Sequence, residues 1–176
     1  MSIAGEFCIK PLDAARHRRA EFGCESQPLT DYLRKQARQD MAAKTSVCFV
    51  LVPVSDPGRI AGYYTLSASS VLLAGLPAEL SGRLPKYPNV PATLLGRLAR
   101  DVEFKGMGIG PLLMRDALER AWMHSTEIGS VAVVTDPKDA RATEFYRQFG
   151  FRTFEERRMV LPMQGLDRWL KALRGG

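Results

Sequence analysis

Hydrophobic and polar positions alternate along several short stretches of the chain, a pattern that is typical of β-strands. It runs through residues 6–10 (EFCIK), 46–54 (SVCFVLVPV) and 59–73 (RIAGYYTLSASSVLL). A Pro-Gly step, which is a turn signal, separates the last two stretches. The alternation therefore predicts an antiparallel meander. Further strands are predicted over residues 93–104, 130–136 and 152–163.

Apolar residues recur at helical spacing in other segments, and Asp13 is suited to capping the first of them. Helices are predicted over residues 12–22, 28–44, 111–125 and 142–150. The apolar stripe of the second helix consists of Leu29, Tyr32, Leu33 and Ala37. Four prolines between residues 75 and 92 predict an irregular connection. At 176 residues, the elements fit one compact domain over residues 1–176.

Three glycines stand where the strand pattern gives way to a helix, at Gly106, Gly108 and Gly110. Such a turn directs main-chain N–H groups outward at the positive end of the helix dipole and binds phosphate well. A tight turn without a ligand is the alternative. No Gly-Lys-Ser/Thr follows, which excludes the nucleoside-triphosphatase loop, and the turn comes too late for a dinucleotide fingerprint.

The composition favours a polyanionic partner, because 25 Lys and Arg face 19 Asp and Glu for a net charge of +6. A solvated basic surface is the alternative. Three cysteines (Cys8, Cys24 and Cys48) have no metal-ligand spacing, so free thiols and no metal are expected. Neither a membrane-spanning run nor a signal pattern appears, and a cytoplasmic location is expected.

Taken together, the order of elements and two motifs resemble the GNAT family of acetyltransferases. Its phosphate motif, Arg/Gln-x-x-Gly-x-Gly/Ala, falls on residues 105–110 (KGMGIG), where Lys105 keeps the charge but not the planar fork of arginine. Its second motif, Asn or Asp, then Ala, then Tyr before Gly-Phe, falls within residues 139–151. The resemblance implies an α/β fold with a central mixed sheet flanked by helices, and acetyl-CoA as the cofactor.

Several stretches resemble more narrowly the GNAT toxins of bacterial toxin-antitoxin modules. They are IAGYYTLSA, LPKYPNVPATLLGRLARD, EFYRQFGF and the FGC and LTDYL segments within residues 22–33. This resemblance implies acetylation of the amino acid on charged tRNA, which blocks translation. It also implies restraint by a ribbon-helix-helix antitoxin and a homodimer.

Acetyl transfer needs main-chain donors beside the thioester and an acid for the departing thiolate. Tyr146 is the candidate acid, with simple packing as the alternative. The residues expected to bind acetyl-CoA are Leu98, Ala99, Arg100, Val102, Lys105, Gly106, Met107, Gly108, Ile109, Gly110, Asp139 and Ala142.

No general base is evident, because His17 and His124 lie far from both motifs in the chain. An α-amine, with a pKa of about 8, has a useful neutral fraction at neutral pH, whereas a lysine at about 10.4 does not. The pattern therefore favours an α-amine acceptor. Tyr87 is a candidate for stacking on a terminal base. Candidate contacts to tRNA phosphates are Arg83, Lys86, Arg97, Arg157 and Arg158.

Two other functions remain open. One is a GNAT enzyme that acetylates a protein N-terminus, a lysine or a small amine. The other is a non-catalytic module that binds acyl-CoA or nucleic acid. The second of these predicts that loss of the Tyr146 hydroxyl leaves the biological effect intact.

Overall fold

The computed structural model describes residues 5–174, which contain seven strands in one mixed sheet. The strands are β1 (Phe7–Pro11), β2 (Val47–Pro53), β3 (Gly62–Leu72), β4 (Asn89–Arg100), β5 (Ala132–Thr135), β6 (Arg152–Thr153) and β7 (Met159–Pro162). Their order across the sheet is β1-β2-β3-β4-β5-β7-β6. β4 and β5 pair in parallel, whereas β1, β2 and β3 form the antiparallel meander that the alternation predicted.

Six α-helices accompany the sheet in the described part of the chain. They are α1 (Gln27–Asp31), α2 (Ala37–Ala43), α3 (Ala78–Ser81), α4 (Ile109–His124), α5 (Ala140–Arg147) and α6 (Met163–Arg174). Short 3₁₀ turns lie at Arg19–Glu21, Leu73–Gly75 and Val102–Phe104. None of the described helices is long and apolar enough to cross a membrane.

The chain divides into two compact units, of which Met1–Ser67 with Gly96–Ala117 is the first. Its core is built by the inner faces of β2, β3 and the α1–α2 segment. Core members include Phe22, Tyr32, Leu33, Ala37, Val50, Val52 and Tyr63. Three of these residues belong to the apolar stripe predicted for the second helix, which is confirmed apart from a π-helical turn at Tyr32–Gln36.

The second unit comprises Ala68–Leu95 and Leu118–Gly176. Its core gathers aliphatic side chains from β3, β4, β5, β7 and α3 with one phenylalanine from the connection between β6 and β7. Core members include Val71, Leu80, Val90, Val134, Phe154 and Val160. That residues 1–176 form a single domain stays a prediction.

The helix predicted over residues 12–22 is wrong. The segment forms turns, because the Asp13 carboxylate accepts a hydrogen bond from the Ala15 amide and the Asp13 amide donates to His17 Nδ1. Arg18 is drawn out to Asp56 through two hydrogen bonds of 3.1 and 2.6 Å. Such side-chain bonds compete with the regular helical pattern and stop it from propagating.

The last predicted strand, over residues 152–163, is a hairpin instead. Glu155 has a φ of 46°, in the left-handed region, and the Phe154 amide donates to the Arg158 carbonyl oxygen at 2.8 Å. The chain therefore reverses and forms β6 and β7, and α6 follows. We did not predict α6 from the sequence, although Met163, Leu166 and Leu170 are buried at helical spacing.

The irregular connection predicted over residues 75–92 ends sooner than expected, because β4 already begins at Asn89. Pro91 lies inside this strand. It precedes Thr93, where the register with β5 begins, so its missing N–H lies outside that ladder, and its carbonyl oxygen accepts from the Val131 amide at 2.9 Å.

Gly62, on β3, tests how closely the start of α4 packs on the sheet. A Cβ at this position would lie 2.8 Å from Ile109 Cγ2 and Leu113 Cδ1 and 3.0 Å from the Ala99 carbonyl oxygen. We expect Gly62→Ala to lower the free energy of unfolding by about 1–3 kcal/mol, measured by urea denaturation. Gly165→Ala is the control, because it meets no atom within 4 Å in α6 and should stabilise by about 0.5–1 kcal/mol. Equal effects of the two changes would contradict the packing argument.

Candidate functional site

The glycine-rich loop joins β4 to α4 in the first unit. Gly106 and Gly108 have φ angles of 80° and 71°, which other residues rarely adopt. α4 begins at Ile109, whose side chain is fully buried. The predicted order of strand, glycine turn and helix is confirmed. The strand, predicted over residues 93–104, ends already at Arg100, and a 3₁₀ turn at Val102–Phe104 leads into the loop. The helix starts two residues earlier than the sequence suggested.

Some main-chain N–H groups of this loop donate to the protein and others do not. The amides of Lys105 and Met107 donate to Val102 and Phe104, each at 3.3 Å. Within residues 5–174, four other amides have no main-chain acceptor: those of Gly106, Gly108, Ile109 and Gly110. Unpaired N–H groups at the start of a helix form an anion site.

The charge around the loop suits an anion as well. No acidic residue lies in the first turn of α4, so nothing there opposes the positive end of the helix dipole. The exposed Lys105 ammonium lies 3.8 Å from the Glu25 carboxylate. That carboxylate is also 4.0 Å from Arg100 Nη2, while Arg100 Nη1 is buried and has no partner among the described residues.

The end of β4 offers fewer main-chain donors than the sequence suggested. The Val102 amide already donates to the Gly23 carbonyl oxygen, and the Asp101 amide to that of Ala61, both at 2.9 Å. Leu98 and Ala99 lie on the strand just before them. Cofactor binding by Leu98, Ala99, Arg100 and Val102 stays a prediction. The Val102 amide is not available for it, because this amide already donates to Gly23.

Tyr146 lies on α5 in the second unit and is only 7% exposed. Its ring meets those of Phe145 and Phe151 edge-on, at centroid distances of 5.6 and 5.5 Å. Tyr146, rather than Phe145 or Phe149, supplies the buried ring of this helix. Burial raises the pKa of Tyr146, and a hydrogen bond with Thr135 offsets part of that rise. The phenol therefore keeps its proton at neutral pH.

Asp139 and Ala142 form the cap of α5. The Asp139 carboxylate accepts from the Ala142 amide at 2.8 Å. A hydrogen bond from Lys138 and the one from this amide hold the pKa of Asp139 below its usual range. Capping of α5 is a structural reason for an Asp at position 139. Contact of Asp139 and Ala142 with a cofactor stays a prediction.

The basic residues singled out in the sequence fall into two groups. Arg83, Lys86 and Arg157 are exposed and form no ion pair within 4 Å in the described chain, although the charge of Glu79, which bonds to Arg152, also interacts with that of Arg83. Arg97 instead stacks over the Tyr32 ring at 3.6 Å, and Arg158 makes two hydrogen bonds with Asp136, at 2.8 and 3.0 Å.

The expectation that Arg157 and Arg158 lie on the last strand is wrong. The hairpin places both residues in the connection that precedes β7.

Two polar residues near the expected site had no signal in the sequence. Thr135 ends β5 and donates to the Leu95 carbonyl oxygen at 2.8 Å. Asp101 is buried and contacts groups 42 and 78 positions away in the chain. No local pattern reports contacts at such separations.

Comparison with known proteins decides the family. The model of the acetyltransferase (GNAT) family matches residues 13–151. The chain belongs to the GNAT acetyltransferase family. A "tRNA-acetylating toxin" of Mycobacterium tuberculosis (strain ATCC 25618 / H37Rv) is 35% identical over 130 residues, which cover 74% of this chain and 75% of the relative.

Solved structures share the GNAT fold over almost the whole chain. AtaT complexed with acetyl-methionyl-tRNAfMet is 25% identical with a TM-score of 0.86, covering 94% of this chain and 99% of its own. A mutant AtaT bound to acetyl-CoA and the C-terminus of the antitoxin AtaR is 22% identical with a TM-score of 0.79, covering 94% and 99%. The expected mixed sheet flanked by helices is confirmed.

Acetyl-CoA, the cosubstrate of this family, fits the glycine-rich loop. Its pyrophosphate needs several donors at close range, and the four unpaired amides provide them without a side chain in the way. We infer that residues 105–110 hold this group.

Gly106→Ala tests the loop by adding a Cβ where φ is 80° and no atom lies within 4 Å. Strain rather than a clash should displace the loop amides, at about 1–2 kcal/mol. We expect the Kd for acetyl-CoA to rise about tenfold in titration calorimetry. Gly129→Ala, also without a neighbour within 4 Å, is the control. Unchanged affinity in the Gly106 variant would remove the loop from the cofactor site.

Proposed function

We propose that this protein is a toxin that transfers the acetyl group of acetyl-CoA to the α-amino group of the amino acid on charged tRNA and thereby blocks translation. The observation that carries the proposal is the set of four unpaired amides at the start of α4. The 35% identity to a tRNA-acetylating toxin supports the choice of acceptor.

The chain's own groups have distinct tasks in this reaction. Acetyl-CoA supplies an acetyl group activated as a thioester. The loop amides of residues 105–110 bind and orient the cosubstrate, so that attack by the amine becomes an intramolecular step. As the C–N bond forms and the C–S bond breaks, the Tyr146 hydroxyl gives its proton to the departing sulfur. The amine releases its own proton to water, and the Tyr146 phenolate takes up a proton from water in turn.

The proton balance explains why a dedicated base is not required. An α-amine, with a pKa of about 8, is partly neutral at physiological pH. His17 has its Nδ1 occupied by the Asp13 amide, and burial lowers its pKa. His124 is the exposed last residue of α4 and lies beside Glu127. Neither imidazole is needed as a base when the acceptor is an α-amine.

Exposed cations are the groups we assign to tRNA phosphates. Arg83, Lys86 and Arg157 are exposed and form no ion pair within 4 Å inside residues 5–174, so they are accessible to a polyanion. Arg97 and Arg158 are engaged with Tyr32 and Asp136 and have a smaller part in the proposal.

Three further points complete the proposal. Tyr87, which is 65% exposed, stacks on a terminal base. A ribbon-helix-helix antitoxin restrains a homodimer of this chain in the cytoplasm. Each protomer is one domain over residues 1–176.

The reaction is tested by incubating the protein with labelled acetyl-CoA and total charged tRNA, beside deacylated tRNA, a lysine peptide and a polyamine. We expect label on charged tRNA alone, released as an N-acetyl amino acid by mild base. Label on deacylated tRNA, or on the peptide or polyamine only, would refute the proposal.

Tyr146→Phe removes the proposed acid and keeps the ring in its aromatic cluster. We expect kcat to fall by about 10²-fold or more, with the Kd for acetyl-CoA retained. Tyr87→Phe is the matched control, because it removes a hydroxyl from an exposed tyrosine and keeps the stacking surface. Wild-type turnover in the Tyr146 variant would exclude the hydroxyl from the reaction.

A further inference from the structure

A buried carboxylate, Asp101, lies four positions before Lys105 and the glycine-rich loop. Its side chain is 1% exposed. It accepts hydrogen bonds from the amides of Gly23 and Glu103, both at 2.9 Å. Two more come from Arg59, at 3.2 and 3.1 Å. All of these residues belong to the first unit.

These contacts tie three separate segments together. Gly23 lies between β1 and α1, Arg59 between β2 and β3, and Glu103 in the 3₁₀ turn that leads into the loop. The main chain reinforces the same points, because the Asp101 amide donates to Ala61 and the Val102 amide to Gly23. The backbone that enters the loop is therefore fixed from two sides.

Arg59 is itself held in place by contacts other than that with Asp101. Its side chain is 12% exposed, donates to Glu103 at 2.6 Å and lies 5.4 Å from the centre of the Phe104 ring. Removal of the Asp101 charge would leave this guanidinium buried and under-compensated. The Asp101–Arg59 pair therefore anchors the 3₁₀ turn at Val102–Phe104 to the segment between β2 and β3.

The loop that follows has few side-chain contacts of its own, apart from that of Lys105 with Glu25. Gly106 has no side chain and finds no neighbour at its Cβ position, and Met107 is exposed. At the far end the loop is held by the buried Ile109 against Gly62. The near end depends on Asp101.

We propose that Asp101 is a positioning residue that sets the loop amides for the pyrophosphate of acetyl-CoA. The inference rests on the acetyl-CoA role proposed above. It assigns Asp101 no contact with the cosubstrate and no part in proton transfer.

Asp101→Asn keeps the size of the side chain and removes its charge. It also places an NH₂ group, which is itself a donor, against neighbours that are all donors. We expect the KM for acetyl-CoA to rise about tenfold or more, with kcat and the KM for charged tRNA within about twofold. A merely structural role would lower the folded fraction, and with it the apparent kcat, and leave both KM values unchanged. Asp56→Asn is the control, because it makes the same change at an exposed carboxylate of the same unit, one that pairs with Arg18 and forms no side-chain hydrogen bond with Asp101, Arg59 or the loop in the described chain.

Arg59→Lys is the second variant, in case the Asn variant does not fold. It keeps the charge and loses the two-pronged contact, and we expect an intermediate rise in the KM for acetyl-CoA. An unchanged KM for acetyl-CoA in the variants that fold would overturn the inference. So would failure of both variants to fold, because the carboxylate would then serve the fold as a whole.

Acetyl-CoA binding to the full chain, measured by calorimetry, separates this inference from the proposed acceptor. If the wild type binds acetyl-CoA but acetylates no tRNA, the proposed function fails and the effect of Asp101→Asn on Kd still decides the inference. We expect the Kd to rise by the same factor as KM. If charged tRNA is acetylated and neither KM nor Kd moves in the variant, the inference alone fails.

Discussion

Unpaired main-chain donors at the start of α4 are the constraint on which the candidate site depends. A helix start leaves its first N–H groups without partners, and here Gly106 and Gly108 expose further amides before it. Buried elsewhere, such groups would be costly. Contacts flank the loop on both sides, since Asp101 bonds to Gly23 before it and Ile109 lies against Gly62 after it. On the inference drawn above, these two contacts position a middle that consists largely of glycine.

Tyr146 has a structural task whether or not it is the acid proposed above. It packs edge-on between Phe145 and Phe151. The same burial raises the pKa of its hydroxyl, so the phenol is protonated at neutral pH, which is the state that the proposed acid requires. Packing and the protonated state therefore have one physical cause.

Local patterns in the sequence predicted the elements whose signals are local. The stripe of the second helix and the strand, glycine turn and helix around Gly108 follow from residues within one or two turns. The helix expected after Asp13 failed because Arg18 bonds to Asp56, 38 positions away. In the same way, the Asp136 partner that neutralises Arg158 becomes visible only when the hairpin has formed. Long-range polar contacts were the part that periodicity could not predict.

A cosubstrate held by backbone amides makes modest demands on side chains. Glycine at the positive-φ positions and a helix start behind them are the features that the proposed pyrophosphate contact needs, so it does not require the arginine or glutamine of the family motif at Lys105. In the proposed function, recognition of the acceptor depends instead on exposed side chains such as Arg83. Few side chains are then fixed by the cosubstrate, which agrees with a fold shared with AtaT at a TM-score of 0.86 and 25% identity. A site whose cosubstrate contacts are main-chain atoms leaves the surface side chains proposed for the acceptor free to differ.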